Sequence, residues 1–170
     1  MKIELSKSEF WNAISVGVMR QCSSLKKGLK HAHGANEKDD LNGWSMHIEG
    51  ACGEAAVAKA LNVYWAGTVD TFKFGADIGE KIQVRTRSKD YYDLIVRSDD
   101  KDDDIFVLVT GRAPTFNVVG WILGRDAKKP QWVQNYGNRV PAWLFHRKIL
   151  LTFNLCTIIL GKNEKRHSIL

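Results

Sequence analysis

Glu54 is the first residue whose surroundings point to chemistry. On a helix its neighbours at i−4, i−3, i+3, i+4 and i+7 are Gly50, Ala51, Val57, Ala58 and Leu61, all small or apolar. A carboxylate in the middle of such a face is costly to ionise unless a cation meets it. That cation is either a metal or a buried basic side chain such as Arg85. Glu49, one turn earlier, reads as a surface charge. Downstream, residues 81–87 alternate in character, which puts Gln83 and Arg85 on one face of a strand and Ile82 and Val84 on the other. Asp77 precedes this strand in the bend Gly75-Ala76-Asp77-Ile78-Gly79, where glycine freedom lets a carboxylate sit beside the strand that follows. Two acids, a carboxamide and a guanidinium thus form one candidate constellation.

The residues Gly53-Glu54-Ala55-Ala56-Val57-Ala58-Lys59-Ala60-Leu61, then Asp77, then Ile82-Gln83-Val84-Arg85-Thr86 resemble the PD-(D/E)XK nuclease superfamily. There a helix supplies a Glu, a strand start supplies the Asp, and the next strand carries (D/E/Q)-x-K. The run through Leu94-Ile95-Val96-Arg97, Phe106-Val107-Leu108-Val109 and Val119-Gly120-Trp121-Ile122 is similar to small uncharacterised phage and bacterial members. The resemblance spans residues 44–135 and implies a restriction-endonuclease-like α/β core that hydrolyses phosphodiester bonds. It further implies Mg²⁺ or Mn²⁺ held by Glu54, Asp77, the Gln83 side chain and the Val84 carbonyl, since such hard ions favour oxygen ligands. The metal would activate a water and stabilise charge on the scissile phosphate, which makes Glu54, Asp77, Gln83 and Arg85 the expected catalytic group. Gln83 stands where the family has an acid, which removes a charge and weakens the metal site. Arg85 stands where it has Lys; a guanidinium clamps a phosphate but cannot act as a general base. Glu80 supplies the missing acid if the strand register slips, and Asp70 replaces Asp77 if the bend lies earlier. The same fold acting as a nucleic-acid-binding module without cleavage is one alternative. A protein-assembly domain with a structural Glu54–Arg85 pair is another.

The elements that must position these residues are legible in outline. Ser6-Lys7-Ser8-Glu9 has capping-box spacing, and Phe10, Ile14, Val18, Cys22, Leu25 and Leu29 continue as a stripe, so a helix runs to about residue 28. A second helix covers 44–61. Between them lies a polar loop whose His31-x-His33 has no acid or cysteine at ligand spacing and reads as solvated. Strands follow at 71–74, 81–87, 93–97, 105–110 and 116–123. Residues 105–109 are apolar on both faces, as in a central covered strand. The acidic run 98–104 lacks the glycine and terminal glutamate of a calcium loop and reads as a turn. With a short helix near Asp126, the expectation is one α/β domain over 1–170 with a mixed sheet flanked by helices. Within it, 1–42 is a helix and loop, 43–135 the nuclease-like core and 136–170 a C-terminal extension.

The 170 residues carry a formal net charge of +6 with 44% hydrophobic and 26% charged residues, and an isoelectric point near 9.3. This balance suits a globule with a polyanionic partner. Lys81, Arg85, Arg87, Lys89 and Arg97 cluster on the motif strand and its expected hairpin partner. Arg125, Lys128, Lys129, Arg139, Arg147 and Lys148 form a second group, opposed by Asp126 alone. Trp132, Tyr136 and Trp143 lie among them as stacking surfaces or, for the tryptophans by preference, as core. Lys81, Arg87, Lys89, Lys128 and Lys129 are the expected nucleic-acid contacts, to DNA in preference to RNA, and a homodimer stays open. Cys22, Cys52 and Cys156 are too few and too scattered for a disulfide framework, which suits a cytoplasm, that of a bacterial host if the chain is phage-encoded. The start of the chain does not read as a signal peptide. The apolar run 149–160 is too short to span a membrane and reads as a buried strand or short helix, so no membrane partner is expected. No phosphate-cradling glycine loop, nucleophile context or dinucleotide fingerprint is present.

Overall fold

The computed structural model describes residues 1–28, 40–70, 75–135 and 140–152. Its elements in order are β1 (Lys2–Glu4), α1 (Lys7–Lys26), α2 (Asp40–Leu61), β2 (Ile82–Arg87), β3 (Leu94–Arg97), β4 (Ile105–Arg112), β5 (Thr115–Leu123), α3 (Gly124–Ala127), β6 (Val133–Gln134) and β7 (Ala142–Phe145). Among the expectations, His31 and His33, the strand at 71–74, Tyr136, Arg139, Cys156 and most of the run 149–160 lie outside the described residues. The start of that run is not buried, because Ile149 and Leu151 are about half exposed.

The capping box forms as its spacing predicts. Ser6 Oγ accepts from the Glu9 backbone N–H at 3.3 Å, and Glu9 Oε2 accepts from the Ser6 N–H at 2.6 Å. The buried face of α1 differs from the apolar stripe, however. Ala13, Val16, Gly17, Arg20, Gln21 and Ser24 are buried, while Phe10, Ile14 and Val18 are half-buried and Cys22 and Leu25 exposed. Close backbone approach explains this. A Cβ on Gly17 would stand 2.5 Å from the Ile48 Cα, so α1 crosses α2 on small residues. Helix α2 is buried from Ala51 to Ala58, sandwiched between α1 and the sheet. Its Gly53 packs directly against Thr86 of β2.

The main sheet has the order β1-β5-β4-β2, with β2 parallel to β4 and the other pairs antiparallel, so the sheet is mixed. Phe106 to Thr110 of β4 are buried, as a covered central strand requires. Val84, Val107, Val109, Phe116 and Val118 pack towards α2. On the other face Phe106, Leu108 and Ile122 pack with Leu94, Val96 and Phe145. Those last three residues belong to a small second sheet of order β3-β7-β6. Strand β3 is therefore not the hairpin partner of β2; it pairs antiparallel with β7, Leu94 opposite Phe145. This pairing also makes β7 part of the folded body, although it falls in the segment expected to be an extension. Among the described residues β2 is a sheet edge, fenced by the antiparallel bridge between Ile78 and Ile82. Among the described residues no helix is long and apolar enough to cross a membrane.

Candidate anion-binding cleft beside a buried ion pair

Glu54 lies where its helical neighbours place it, 6% exposed at the α1–α2 contact. Its cation is Arg20 of α1, 8% exposed, rather than Arg85 or a metal. Arg20 Nη1 donates to Oε1 at 2.6 Å and Nη2 to Oε2 at 2.9 Å, a bidentate fork. The remaining valences are used as well. Arg20 Nε donates to the Thr68 carbonyl at 2.9 Å, and Trp65 Nε1 donates to Glu54 Oε2 at 3.1 Å. Burial works against the Arg20 charge, but the hydrogen bonds and charge of Glu54, with help from Asp77, outweigh it and raise the pKa. The signal for this partner was in the sequence. Arg20 shares a helical face with Ala13, Val16, Gly17 and Ser24, although Ser23 and Lys27 at i+3 and i+7 make its surroundings less apolar than those of Glu54.

Asp77 does sit beside the following strand. Its Oδ2 accepts from the Val84 backbone N–H at 2.7 Å, and its own N–H donates to the Ile82 carbonyl. Burial and then the nearby charge of Glu54 push its carboxyl up to about 6, against the pull of the Val84 hydrogen bond, Arg85 and Arg20. Gln83 and Arg85 alternate as expected, but onto the sheet face that looks away from α2. They lie opposite Phe106 and Leu108 in the parallel register. Gln83 Nε2 donates to Asp104 Oδ2 at 3.0 Å. Arg85 Nη2 donates to Asp100 Oδ1 at 2.7 Å, and its guanidinium carbon lies 5.0 Å from the Phe106 ring centre. The structure therefore gathers Glu54 and Asp77 and turns Gln83 and Arg85 to the other side.

This arrangement does not fit the metal that the resemblance implies. Both Glu54 oxygens are held by guanidinium N–H groups, one Asp77 oxygen is held by Val84, and Gln83 reaches Asp104 instead. Among the described residues no three His, Cys, Asp or Glu side chains are grouped to hold an ion. The two substitutes do not fill the gap. Glu80 is exposed in the turn before β2, and Asp70 is exposed and engaged by Ser23 at 2.5 Å and Lys27 at 3.0 Å.

Around the edge of β2, where residues of both its faces are reached, a cleft of about 550 Å³ opens between α2, strands β2 and β3, and the end of β4. Arg85, Arg87, Arg97 and Arg112 line it, together with Tyr92 and Met46. Arg85 is paired with Asp100, and the Arg87 guanidinium carbon stands 4.7 Å from the Tyr92 ring centre. Arg97 is different. Burial and then the charge of Arg85 hold its pKa below the arginine value, Arg87 adds to this, and Asp100 and Asp99 only partly compensate. No ion pair or hydrogen bond to its guanidinium is found among the described residues, and the same holds for the exposed Arg112. Glu49 is not a plain surface charge. It is half-buried on the cleft wall, and its Oε2 accepts from the Ala113 N–H at 3.1 Å.

Of the expected nucleic-acid contacts, Lys81, Lys89 and Lys129 are exposed and Arg87 lies in the cleft. Lys128 is not available. Its Nζ donates to the Ser98 and Asp100 carbonyls and to Asp102 Oδ1 at 2.8 Å, so it braces the acidic turn from within. Trp132 and Trp143 are partly buried against the second core, and the Trp132 ring centre lies 4.9 Å from that of Phe145, in line with the core reading. Cys22 and Cys52 are free thiols. Comparison of the chain with protein-family models, curated proteins and solved structures finds no match.

Two outcomes follow from these contacts. Arg20→Met strands a buried carboxylate and should destabilise the protein by about 3–5 kcal/mol in urea unfolding. Arg20→Met combined with Glu54→Leu should recover much of that loss; equal losses would mean that the pair is not the unit described. For Asp77 the folded carboxyl ionises near pH 6 against an ordinary value of 3.8. Its protonated form therefore contributes stability that is full below about pH 4, declines as pH rises towards 6 and is lost above it. Asp77→Asn should accordingly gain up to roughly 3 kcal/mol over the wild type at pH 8 and nothing at pH 4, read from urea midpoints. A gain independent of pH would contradict the assignment.

Proposed function

We propose that the protein binds nucleic acid and that the arginine-lined cleft makes the phosphate contacts. The observation that carries this reading is Arg97, a half-buried guanidinium flanked by Arg85 and Arg87, whose charge no carboxylate bonds among the described residues. A partly desolvated cation amid like charges is unfavourable until an anion arrives, and a phosphate oxygen offers guanidinium a charge-assisted bond. Arg112 at the rim and the exposed Lys81 and Lys89 extend the positive field along β2 and its flanks. The +6 net charge supports a polyanion rather than a small anion as partner.

Phosphodiester cleavage is the second reading, supported by the resemblance and by Asp77 lying in the field of Glu54. The Arg20–Glu54 clasp stands against it, so binding is the better-supported activity. DNA is the first partner to test.

Fluorescence anisotropy of labelled DNA and RNA oligonucleotides should show affinity falling steeply between about 50 and about 200 mM salt. Arg97→Ala with Arg112→Ala should weaken binding at least about tenfold and flatten the log–log salt slope by about 2. The same samples with Mg²⁺ or Mn²⁺, beside Asp77→Ala, report on cleavage. Binding that ignores both salt and the arginine variants would overturn the proposal.

A further inference from the structure

The cleft is not uniformly polar, and this narrows what it takes. Beside its four arginines it presents Met46, half exposed on α2, along with Ile95 of β3 and the ring of Tyr92. A binding site for bare phosphate has no use for an apolar wall. Tyr92 is already organised for stacking. Arg87 lies over its ring at 4.7 Å, and Tyr91 meets it edge-on at 5.0 Å and 74°. A planar guanidinium on an aromatic ring, bordered by a thioether, makes a surface on which a nucleobase can lie. The cleft volume of about 550 Å³ is also that of a pocket for a small-molecule-sized unit. A double helix turns its bases inward and offers a convex rail of phosphates, so it can satisfy the arginines but not the stacking wall.

We infer that the cleft takes an unpaired nucleotide of a single strand, its phosphate on Arg97 and Arg112 and its base against the Arg87–Tyr92 stack beside Met46. This rests on the nucleic-acid reading above and specifies the form of the ligand. Arg97 and Arg112 supply affinity that any phosphate polymer would feel. Tyr92 supplies the discrimination for a strand with exposed bases, because every base has a face to stack.

The test separates the two parts. Anisotropy is measured with labelled oligothymidylate and with a mixed-sequence duplex of the same length, and inorganic polyphosphate serves as competitor. The wild type should prefer the single strand over the duplex by about tenfold. Arg97→Ala should weaken both oligonucleotide and polyphosphate binding. Tyr92→Leu should weaken the single strand by about tenfold and leave polyphosphate unchanged, and Tyr92→Trp should restore the preference. Should Tyr92→Leu fail to fold, photo-crosslinking of wild type to a bromouracil-substituted strand decides the matter. The crosslink should fall at the base site, on Tyr92, Arg87 or Met46. Equal binding of duplex and single strand, equal losses for both ligands in Tyr92→Leu, or a crosslink elsewhere would overturn the single-strand inference while leaving a phosphate-binding cleft. A wild type that binds neither oligonucleotide nor polyphosphate would overturn the functional reading itself.

Discussion

The bidentate bond between Arg20 and Glu54 ties α1, α2 and the segment after α2 together at one buried point. It joins α1 to α2 where the helices approach too closely for large side chains, and through Trp65 and the Thr68 carbonyl it also ties down the segment that leaves α2. Two ions in such a place are tolerable only as a pair with their remaining hydrogen bonds filled, and here the guanidinium Nε and both carboxylate oxygens are in use. The small residues around both ions, Gly17 and Ala13 on one helix and Ala51 and Ala58 on the other, make room for this polar centre within a helix contact. The pair also sets the electrostatics nearby, since the Glu54 charge is one reason the Asp77 proton is held so tightly.

The two faces of β2 have separate tasks. Towards α2, Val84 packs in the larger core and Thr86 meets Gly53. Away from it, Gln83, Arg85 and Arg87 join the β3 side of the molecule, where Asp104, Asp100 and Tyr92 receive them. The sheet therefore stands between the Glu54 carboxylate and the basic side chains that the resemblance would combine with it. The neutral Gln83, and Arg85 whose permanently charged guanidinium cannot act as a general base, suit this division. Strand β2 turns the guanidiniums of Arg85 and Arg87 to the cleft and the Gln83 carboxamide to Asp104, whereas metal ligation by hard ions requires oxygen donors that are free.

What was legible in the sequence was local. Period-two alternation sorted the side chains of β2 correctly, the apolar run of β4 marked a covered strand, and the capping box fixed the start of α1, because each depends on residues within one element. The burial of Glu54 was readable for the same reason. Its partner was not read, since an ion pair between residues 34 apart is a tertiary contact, although the small residues around Arg20 carried half the information. The union of β3 with β7, and so the second sheet, was equally out of reach: β7 is a four-residue strand just after Pro141, with no repeating pattern. The cleft inherits that difficulty. Arg87, Arg97, Arg112 and Tyr92 come from β2, a strand of another sheet, the end of β4 and a connection, and only the folded chain brings them together.

On the reading proposed above, ligand meets the cleft and leaves the buried pair alone. Side-chain NMR measures this directly, by following arginine Nε–H and tryptophan indole resonances as single-stranded oligonucleotide and then Mg²⁺ are added. The Arg97 and Arg112 signals should move with the oligonucleotide. Arg20 and the Trp65 indole, both bonded to Glu54, should stay in place throughout. Displacement of Arg20 and Trp65 on adding Mg²⁺ with oligonucleotide, with Arg97 unmoved, would contradict that reading and return Glu54 to the role of a metal ligand.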